Sequence, residues 1–168
     1  MTHFVIPFRY GGKTRLGDGE LALAMLRDVT DAVNALGREP LIVDGTGGQG
    51  ADVLRALATL PGPVTIVNGD VPCVTPDELD ELTKRAPAIV AARDGTTNAL
   101  SILDRSAFAP LYGPGSAARF ETHLGAERLA LPGLRDDVDT WDDLERIRDR
   151  VGKHTRRHLK QLERSQAS

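Results

Sequence analysis

Short apolar runs alternate with amphipathic segments along most of the chain. Apolar runs rich in β-branched residues predict strands over 4–8, 41–43, 64–67, 88–92 and 99–103, with a further short one over 129–131. Apolar residues at helical spacing predict helices from Glu20 towards Gly37, through Val53 and Leu57, and after residues 75, 116 and 140. This order predicts an α/β fold, in which a mostly parallel sheet carries helices on both faces in three layers.

Capping residues place several of the helix starts. Thr75, with Pro76 after it and Glu78 at the third helical position, has the pattern of a capping box. Ser116 and Thr140 are interpreted as helix caps in the same way. We expect one domain over 1–152, followed over 153–168 by a basic tail that either extends a helix or is disordered.

Composition excludes several classes of function. The 168 residues suit one domain, and a net charge of -3 argues against a nucleic-acid partner. No apolar run is long enough to span a membrane, so no membrane partner is expected. Since the chain has a single cysteine and its first residues do not resemble a leader peptide, we expect a cytoplasmic protein.

A basic, glycine-bearing loop follows the first predicted strand. Its backbone amides and cations suit the phosphates of a nucleotide, and it comprises Gly11, Gly12, Lys13, Thr14 and Arg15. A P-loop is disfavoured, because Pro7 stands where that motif needs its first glycine. The alternative interpretation is a solvated basic turn.

Acidic residues form the second candidate site. Asp137 and Asp139 are two apart in an extended segment, so their side chains point the same way. Together with Asp70, at the carboxyl end of a probable central strand, they suit Mg²⁺, which prefers oxygen ligands and acts beside phosphates. The alternative is a set of solvated acids at a helix start, which is how we interpret Asp142 and Asp143.

Other polar residues are weaker candidates. The segment from Gly113 to Ser116 offers amides and a hydroxyl to an anion, and Thr97 with Asn98 offers hydrogen-bonding groups, although both are also ordinary turn sequences. Cys73 and Trp141 are expected to pack, and the histidines lack the spacing of a zinc site.

Five motifs occur together in one order, over 6–16, 67–72, 95–100, 112–116 and 137–140. This ordered set resembles the phospholactate or phosphoenolpyruvate guanylyltransferases of coenzyme F-420 biosynthesis. The resemblance implies a nucleotide-diphospho-sugar transferase-like fold, a homodimer, and magnesium-dependent transfer of GMP from GTP. The acceptor implied is a small phosphorylated three-carbon acid: phosphoenolpyruvate, 2-phospho-L-lactate or 3-phosphoglycerate.

The resemblance also assigns roles by position. Asp70, Asp137 and Asp139 match the magnesium-binding aspartates of the family. The GTP phosphates fall to Gly11, Gly12, Lys13 and Arg15, of which Lys13 and Arg15 would neutralise charge during catalysis. The acceptor acid falls to Thr97, Gly113 and Ser116.

The chain departs from the family pattern in three places, one of which is Phe120, where a histidine is frequent. Arg9 stands where a lysine is common, and the segment between Val43 and Val64 is short, with Gly48-Gln49-Gly50 in place of a Gly-Leu-Asn element. That segment should help to bind the nucleotide. Two alternatives therefore stay open: a related nucleotidyltransferase with another nucleotide or acceptor, and a non-catalytic nucleotide- or metabolite-binding protein.

Overall fold

A computed structural model of the chain describes residues 1–9, 15–44 and 47–168. Its centre is a six-stranded sheet in the order β2-β1-β3-β5-β4-β6. Only β5 is antiparallel to its neighbours, so the expected mostly parallel sheet is confirmed. The strands are β1 (His3–Pro7), β2 (Leu41–Val43), β3 (Val64–Val67), β4 (Ala88–Ala91), β5 (Thr97–Ile102) and β6 (Glu127–Arg128).

Helices cover both faces of this sheet, as the alternation of patterns predicts. They are α1 (Gly19–Asn34), α2 (Gln49–Leu57), α3 (Pro76–Lys84), α4 (Ser116–Leu124), α5 (Pro132–Arg135), α6 (Trp141–Ile147) and α7 (Lys153–Ala167). Phe4 and Ile6 of β1 pack towards α1, α3 and α5, while Val5 packs towards α2 and α4. The three-layer α/β architecture is therefore confirmed.

Two of the three residues predicted to cap helices do so. Thr75 and Thr140 each form a reciprocal capping box, with Glu78 and Asp143 respectively. The expectation for Ser116 is wrong: Gly115, with a φ of +72°, precedes α4, and the Ser116 hydroxyl turns inward to Thr97. Glycine suits this position because a left-handed backbone is strained for other residues.

The strand predicted over 129–131 is observed two residues earlier in the chain, as β6. The paired residues are the exposed Glu127 and Arg128, and the ladder then ends with the Leu129 amide donating to the Ile89 carbonyl at 2.8 Å. Leu129 and Leu131 are apolar because they fill the core beneath α3 and α5. Their hydrophobicity indicates burial rather than strand pairing.

Helix α7 is formed by the basic tail and packs along α1. The buried carboxylate of Asp28, on α1, accepts the amide hydrogens of His154 and Thr155 at 2.9 and 3.0 Å. His154 and His158 contact Asp31 and Asp18, each at 2.8 Å. A carboxylate of one helix thus caps the start of another.

Cys73 packs as expected and is buried in the cluster between α1, α6 and α7. The expectation for Trp141 is not met, because its side chain is 42% exposed, although its indole N–H donates to the Leu16 carbonyl at 3.1 Å. Among the described residues, no helix combines the length and the apolarity needed to cross a membrane.

Candidate active site

The candidate residues converge on one edge of the sheet. Strands β1, β3, β4 and β6 end at this edge, and the antiparallel β5 begins there. Asp70 lies just after β3, Asn98 is the second residue of β5, and Asp137 and Asp139 follow β6 and α5. This is the edge at which ligands bind in open α/β sheets.

Asp70, Asp137 and Asp139 are brought together at this edge. Each offers an oxygen, and the three oxygens lie within 4.8 Å of one another on partly exposed side chains. The Val138 amide donates to the Asp70 carbonyl at 3.0 Å, which joins the two segments. Because Asp136 and Val138 are buried, the alternation of an extended chain turns Asp137 and Asp139 towards the site.

Neighbouring groups orient the carboxylates. The buried Asn98 amide donates to Asp137 Oδ1 at 3.2 Å and to the Arg135 carbonyl at 2.9 Å. Asp143 accepts the backbone amides of Asp139 and Thr140 at 2.9 and 3.0 Å. Burial raises the pKa of Asp143, but these hydrogen bonds outweigh it and hold that pKa below its usual range. Asp143 therefore acts at the helix start, as expected, and also fixes the backbone of Asp139.

Sequence reasoning missed the role of Asp136. Its side chain is only 2% exposed, and it accepts from Arg93 Nε at 3.0 Å, Arg135 Nε at 3.2 Å and Arg150 Nη2 at 2.5 Å. Burial raises the pKa of this carboxyl, and the three arginines outweigh that effect and lower it. Asp136 thus holds the segment that carries Asp137 and Asp139, and no signal along the chain identifies its partners.

A cavity of about 290 Å³ opens beside Asp70, between the ends of β1 and β3 and the start of α2. Arg9, Gln49, Asp52 and Asn68 are among the residues that line it. Gln49 Nε2 donates to Asn68 Oδ1 at 2.7 Å, and Asn68 Nδ2 donates to the Thr97 carbonyl at 3.1 Å. These bonds fix one wall of the cavity relative to the sheet.

The remaining predicted residues are placed unevenly. Gly11, Gly12 and Lys13 lie outside the described residues, and Arg15 is exposed. The Thr97 and Ser116 hydroxyls bond each other at 2.8 Å on buried side chains.

Gly113 is in the loop before α4, with a φ of +119°. Arg119 closes that loop by donating to the carbonyls of Leu111 and Pro114 at 2.9 and 2.6 Å. Thr97 and Ser116 therefore fix this loop beside β5, and their contact with an acceptor acid stays a prediction.

Cys73 does not have the surroundings of a nucleophile. Burial raises the pKa of its thiol to about 11, with Asp136, Glu78 and Asp28 adding to that effect and Arg150 opposing it. The thiolate is the reactive form, so this cysteine is inert at neutral pH. Within 1–9, 15–44 and 47–168, the three aspartates are the one acidic, histidine or cysteine cluster with the spacing of a metal site.

The fold is that of the nucleotidyltransferases and nucleotide-diphospho-sugar transferases. A nucleotidyl transferase from Methanothermobacter superposes with a TM-score of 0.62 at 15% identity, covering 94% of this chain and 99% of that one. A Desulfovibrio desulfuricans G20 protein assigned to the nucleotide-diphospho-sugar transferases gives a TM-score of 0.66 at 17% identity, over 85% and 84%.

Sequence comparison narrows this class to a family. A 2-phospho-L-lactate guanylyltransferase from Methanosphaerula palustris is 34% identical, over 83% of this chain and 80% of that protein. A phosphoenolpyruvate guanylyltransferase from Nocardia farcinica is 44% identical over 89 residues, 48% of this chain and 38% of that protein. The chain belongs to the phosphoenolpyruvate and 2-phospho-L-lactate guanylyltransferase family.

The matches to two phosphoenolpyruvate guanylyltransferases cover only part of those proteins. The matched stretch spans less than half of the Nocardia farcinica protein and about half, 49%, of a Rhodococcus jostii phosphoenolpyruvate guanylyltransferase. No protein-family model matches the chain.

Proposed function

We propose that this chain is a magnesium-dependent guanylyltransferase that transfers GMP from GTP to a small phosphorylated three-carbon acid. The observation that carries the proposal is the convergence of Asp70, Asp137 and Asp139 beside a ligand-sized cavity. The fold and the names of the relatives support it.

The three aspartates fit Mg²⁺ by their chemistry. Mg²⁺ prefers hard oxygen ligands at about 2.1 Å, so its ligands lie about 3 to 4 Å from one another. Three carboxylate oxygens within 4.8 Å of one another need little adjustment to reach that spacing. When bound there, the ion would supply charge neutralisation to the phosphates of the nucleotide.

The reaction itself needs no dedicated general base. A phosphate oxygen of the acceptor, already ionised at neutral pH, attacks the α-phosphorus of GTP in line. One P–O bond forms, the bond from the α-phosphorus to the bridging oxygen breaks, and its electron pair leaves with pyrophosphate. Catalysis then rests on positioning and on charge neutralisation.

The chain supplies both effects. Asn98 holds the Asp137 side chain, and the Asp143 carboxylate holds the backbone of Asp139. Both carboxylates of the pair are therefore oriented before substrate binds. We propose that Lys13 and Arg15 neutralise the triphosphate. The acceptor would bind beside Gly113, whose loop is fixed by Thr97, Ser116 and Arg119.

The direct test is pyrophosphate release from GTP and Mg²⁺, with phosphoenolpyruvate, 2-phospho-L-lactate and 3-phosphoglycerate offered separately. We expect release with at least one acid, and its loss on chelation with recovery when Mg²⁺ is restored. A folded protein that releases no pyrophosphate with any of the three acids contradicts the proposal. Substitution of ATP or CTP for GTP tests the choice of base in the same assay.

A further inference from the structure

The start of α2 places an unusual carboxylate in the wall of the cavity. Asp52 lies in the first turn of this helix, and its side chain is 6% exposed. One oxygen of the Asp52 carboxylate pairs with Arg55, whose side chain is 70% exposed. Among the described residues, Arg55 is the ion-pair partner of this buried carboxylate, and burying a carboxylate against so solvated a partner costs stability that a bound hydrogen-bond donor would offset.

Gln49 is the second polar group at this position. It lies three residues before Asp52, so both side chains share one face of α2, and both line the cavity. One N–H of the Gln49 amide is held by Asn68 at 2.7 Å, which fixes the orientation of the side chain. Its second N–H is a donor, whereas Asp52 can only accept.

Close packing fixes α2 against the rest of the protein. A Cβ added at Gly50 would lie 2.7 Å from the Pro110 Cβ and 3.2 Å from its Cα. Real Cβ atoms essentially never lie so close to a neighbour, so glycine at position 50 allows α2 to approach the loop that contains Pro110. Asp52 and Gln49 are therefore presented from a rigid element, as specific recognition requires.

We infer that Asp52 selects guanine by accepting the adjacent N1–H and 2-amino hydrogens of the base, with Gln49 beside it as a donor to O6. This inference rests on the proposed function for the nucleotide. Guanine presents two neighbouring donors to a carboxylate, and such a pair of charge-assisted bonds is strong. Adenine presents an acceptor at N1 and is repelled, which gives discrimination against ATP.

Nucleotide binding by the unaltered protein is the first test. Calorimetric titration with GTP, ITP and ATP, each with Mg²⁺, measures recognition whether or not turnover occurs. ITP lacks the 2-amino group, so we expect it to bind about tenfold or more weakly than GTP, and ATP to bind more weakly still. Equal affinity for GTP and ITP contradicts the inference without touching the proposed reaction.

The Asp52→Asn variant is the second test. An amide can donate to the 2-oxo group of xanthine, which a carboxylate repels. We expect GTP affinity to fall at least tenfold, the GTP to ITP ratio to approach one, and XTP to bind better than it does to the unaltered protein. A merely structural role for Asp52 would weaken all nucleotides equally and leave these ratios unchanged.

A matched control comes from α3. Asp77 is an exposed acid in the first turn of that helix, as Asp52 is a buried one in α2, so Asp77→Asn should leave every ratio unchanged. If GTP is turned over but XTP gains nothing in Asp52→Asn, the guanine assignment is wrong and the proposed function stands. If no nucleotide binds to the unaltered protein, both fail.

Discussion

Asp136 and Asp137 are neighbours along the chain with opposite surroundings. Asp136 is buried among three arginines, while Asp137 faces the partly exposed carboxylate cluster. Asp136 is therefore expected to contribute to stability, and Asp137 belongs to the candidate site. Substitutions at the two positions should therefore separate folding from activity.

Asp137→Asn and Asp139→Asn test the site. Each removes a negative charge and one hard oxygen ligand, so we expect pyrophosphate release to fall by about 100-fold or more. The free energy of unfolding should change by less than about 1 kcal/mol, because both side chains are partly exposed. Asp142→Asn, an exposed acid three residues further on, is the control and should keep full activity. Undiminished turnover in both variants contradicts the metal assignment.

Asp136→Asn tests stability. Removing a buried charge leaves three arginines facing a neutral amide, and we expect a loss of about 2 to 4 kcal/mol in the free energy of unfolding. Urea denaturation measures it, with Asp149→Asn, an exposed acid next to Arg150 along the chain, as the control. An unchanged unfolding midpoint would show that the arginines contribute nothing through Asp136.

The same carboxyl predicts a pH dependence. Its folded pKa lies below the ordinary value of 3.8, so its contribution is complete above that value. The contribution is lost as the pH falls through the lower, folded pKa. The unaltered protein should therefore lose stability as the pH falls below about 4, and Asp136→Asn should lose less over the same range, which urea denaturation at a series of pH values measures.

At the scale of elements, α1 and α7 depend on one another through Asp28. A Cβ at Gly152 would collide with that carboxylate, so glycine allows α7 to begin where Asp28 can accept its first amides. Asp28→Ala leaves those amides without their acceptor. We expect a loss of about 2 kcal/mol and faster hydrogen exchange at the amides of residues 154 and 155. Asp77→Ala removes an exposed acid from the first turn of α3 and should change neither the free energy of unfolding nor these exchange rates. Unaltered exchange in Asp28→Ala would show that Asp28 does not cap α7.

The elements also differ in how far the sequence predicts them. Strands β1 to β5 follow from short apolar runs, and α1, α2, α3, α4 and α6 follow from helical periodicity and capping, whereas the four-residue α5 is not among the predicted helices. The position of β6 does not, because its paired residues are polar and its apolar neighbours fill the core. Helix α7 is polar along most of its length, and its position depends on Asp28, Asp31 and Asp18 of a distant segment.

The same distinction holds for the candidate site. Asp70, Asp137 and Asp139 can be proposed from their spacing and from the rule that ligands bind at the carboxyl edge of a sheet. Asn98, Asp136 and Asp52 acquire their surroundings through contacts with distant segments or through burial, and neither is visible along the chain. Spacing along the chain thus reveals Asp70, Asp137 and Asp139 more readily than residues whose surroundings depend on burial or on a distant partner.

At the scale of the whole molecule, the candidate site joins segments that are almost seventy residues apart. Asp70 follows the central strand β3, and Asp137 and Asp139 follow the edge strand β6, with a backbone bond from Val138 to Asp70 between them. Three carboxylates in one place repel one another, which opposes this arrangement in the free protein. A ligand that neutralises them should therefore stabilise the entire fold.

This expectation can be measured by thermal unfolding. Mg²⁺ or GTP alone should raise the melting temperature slightly, whereas both together, at about 100 times the dissociation constant, should raise it by about 5 to 10 °C. The combined effect should exceed the sum, because Mg²⁺ offsets the carboxylate charge that repels the triphosphate, and the triphosphate adds oxygen ligands for the ion. In Asp137→Asn the Mg²⁺-dependent part should disappear while the GTP-only shift is kept. If the Mg²⁺-dependent rise in melting temperature persists in Asp137→Asn, the ion binds elsewhere. The carboxylate cluster would then not be the site that couples metal binding to folding.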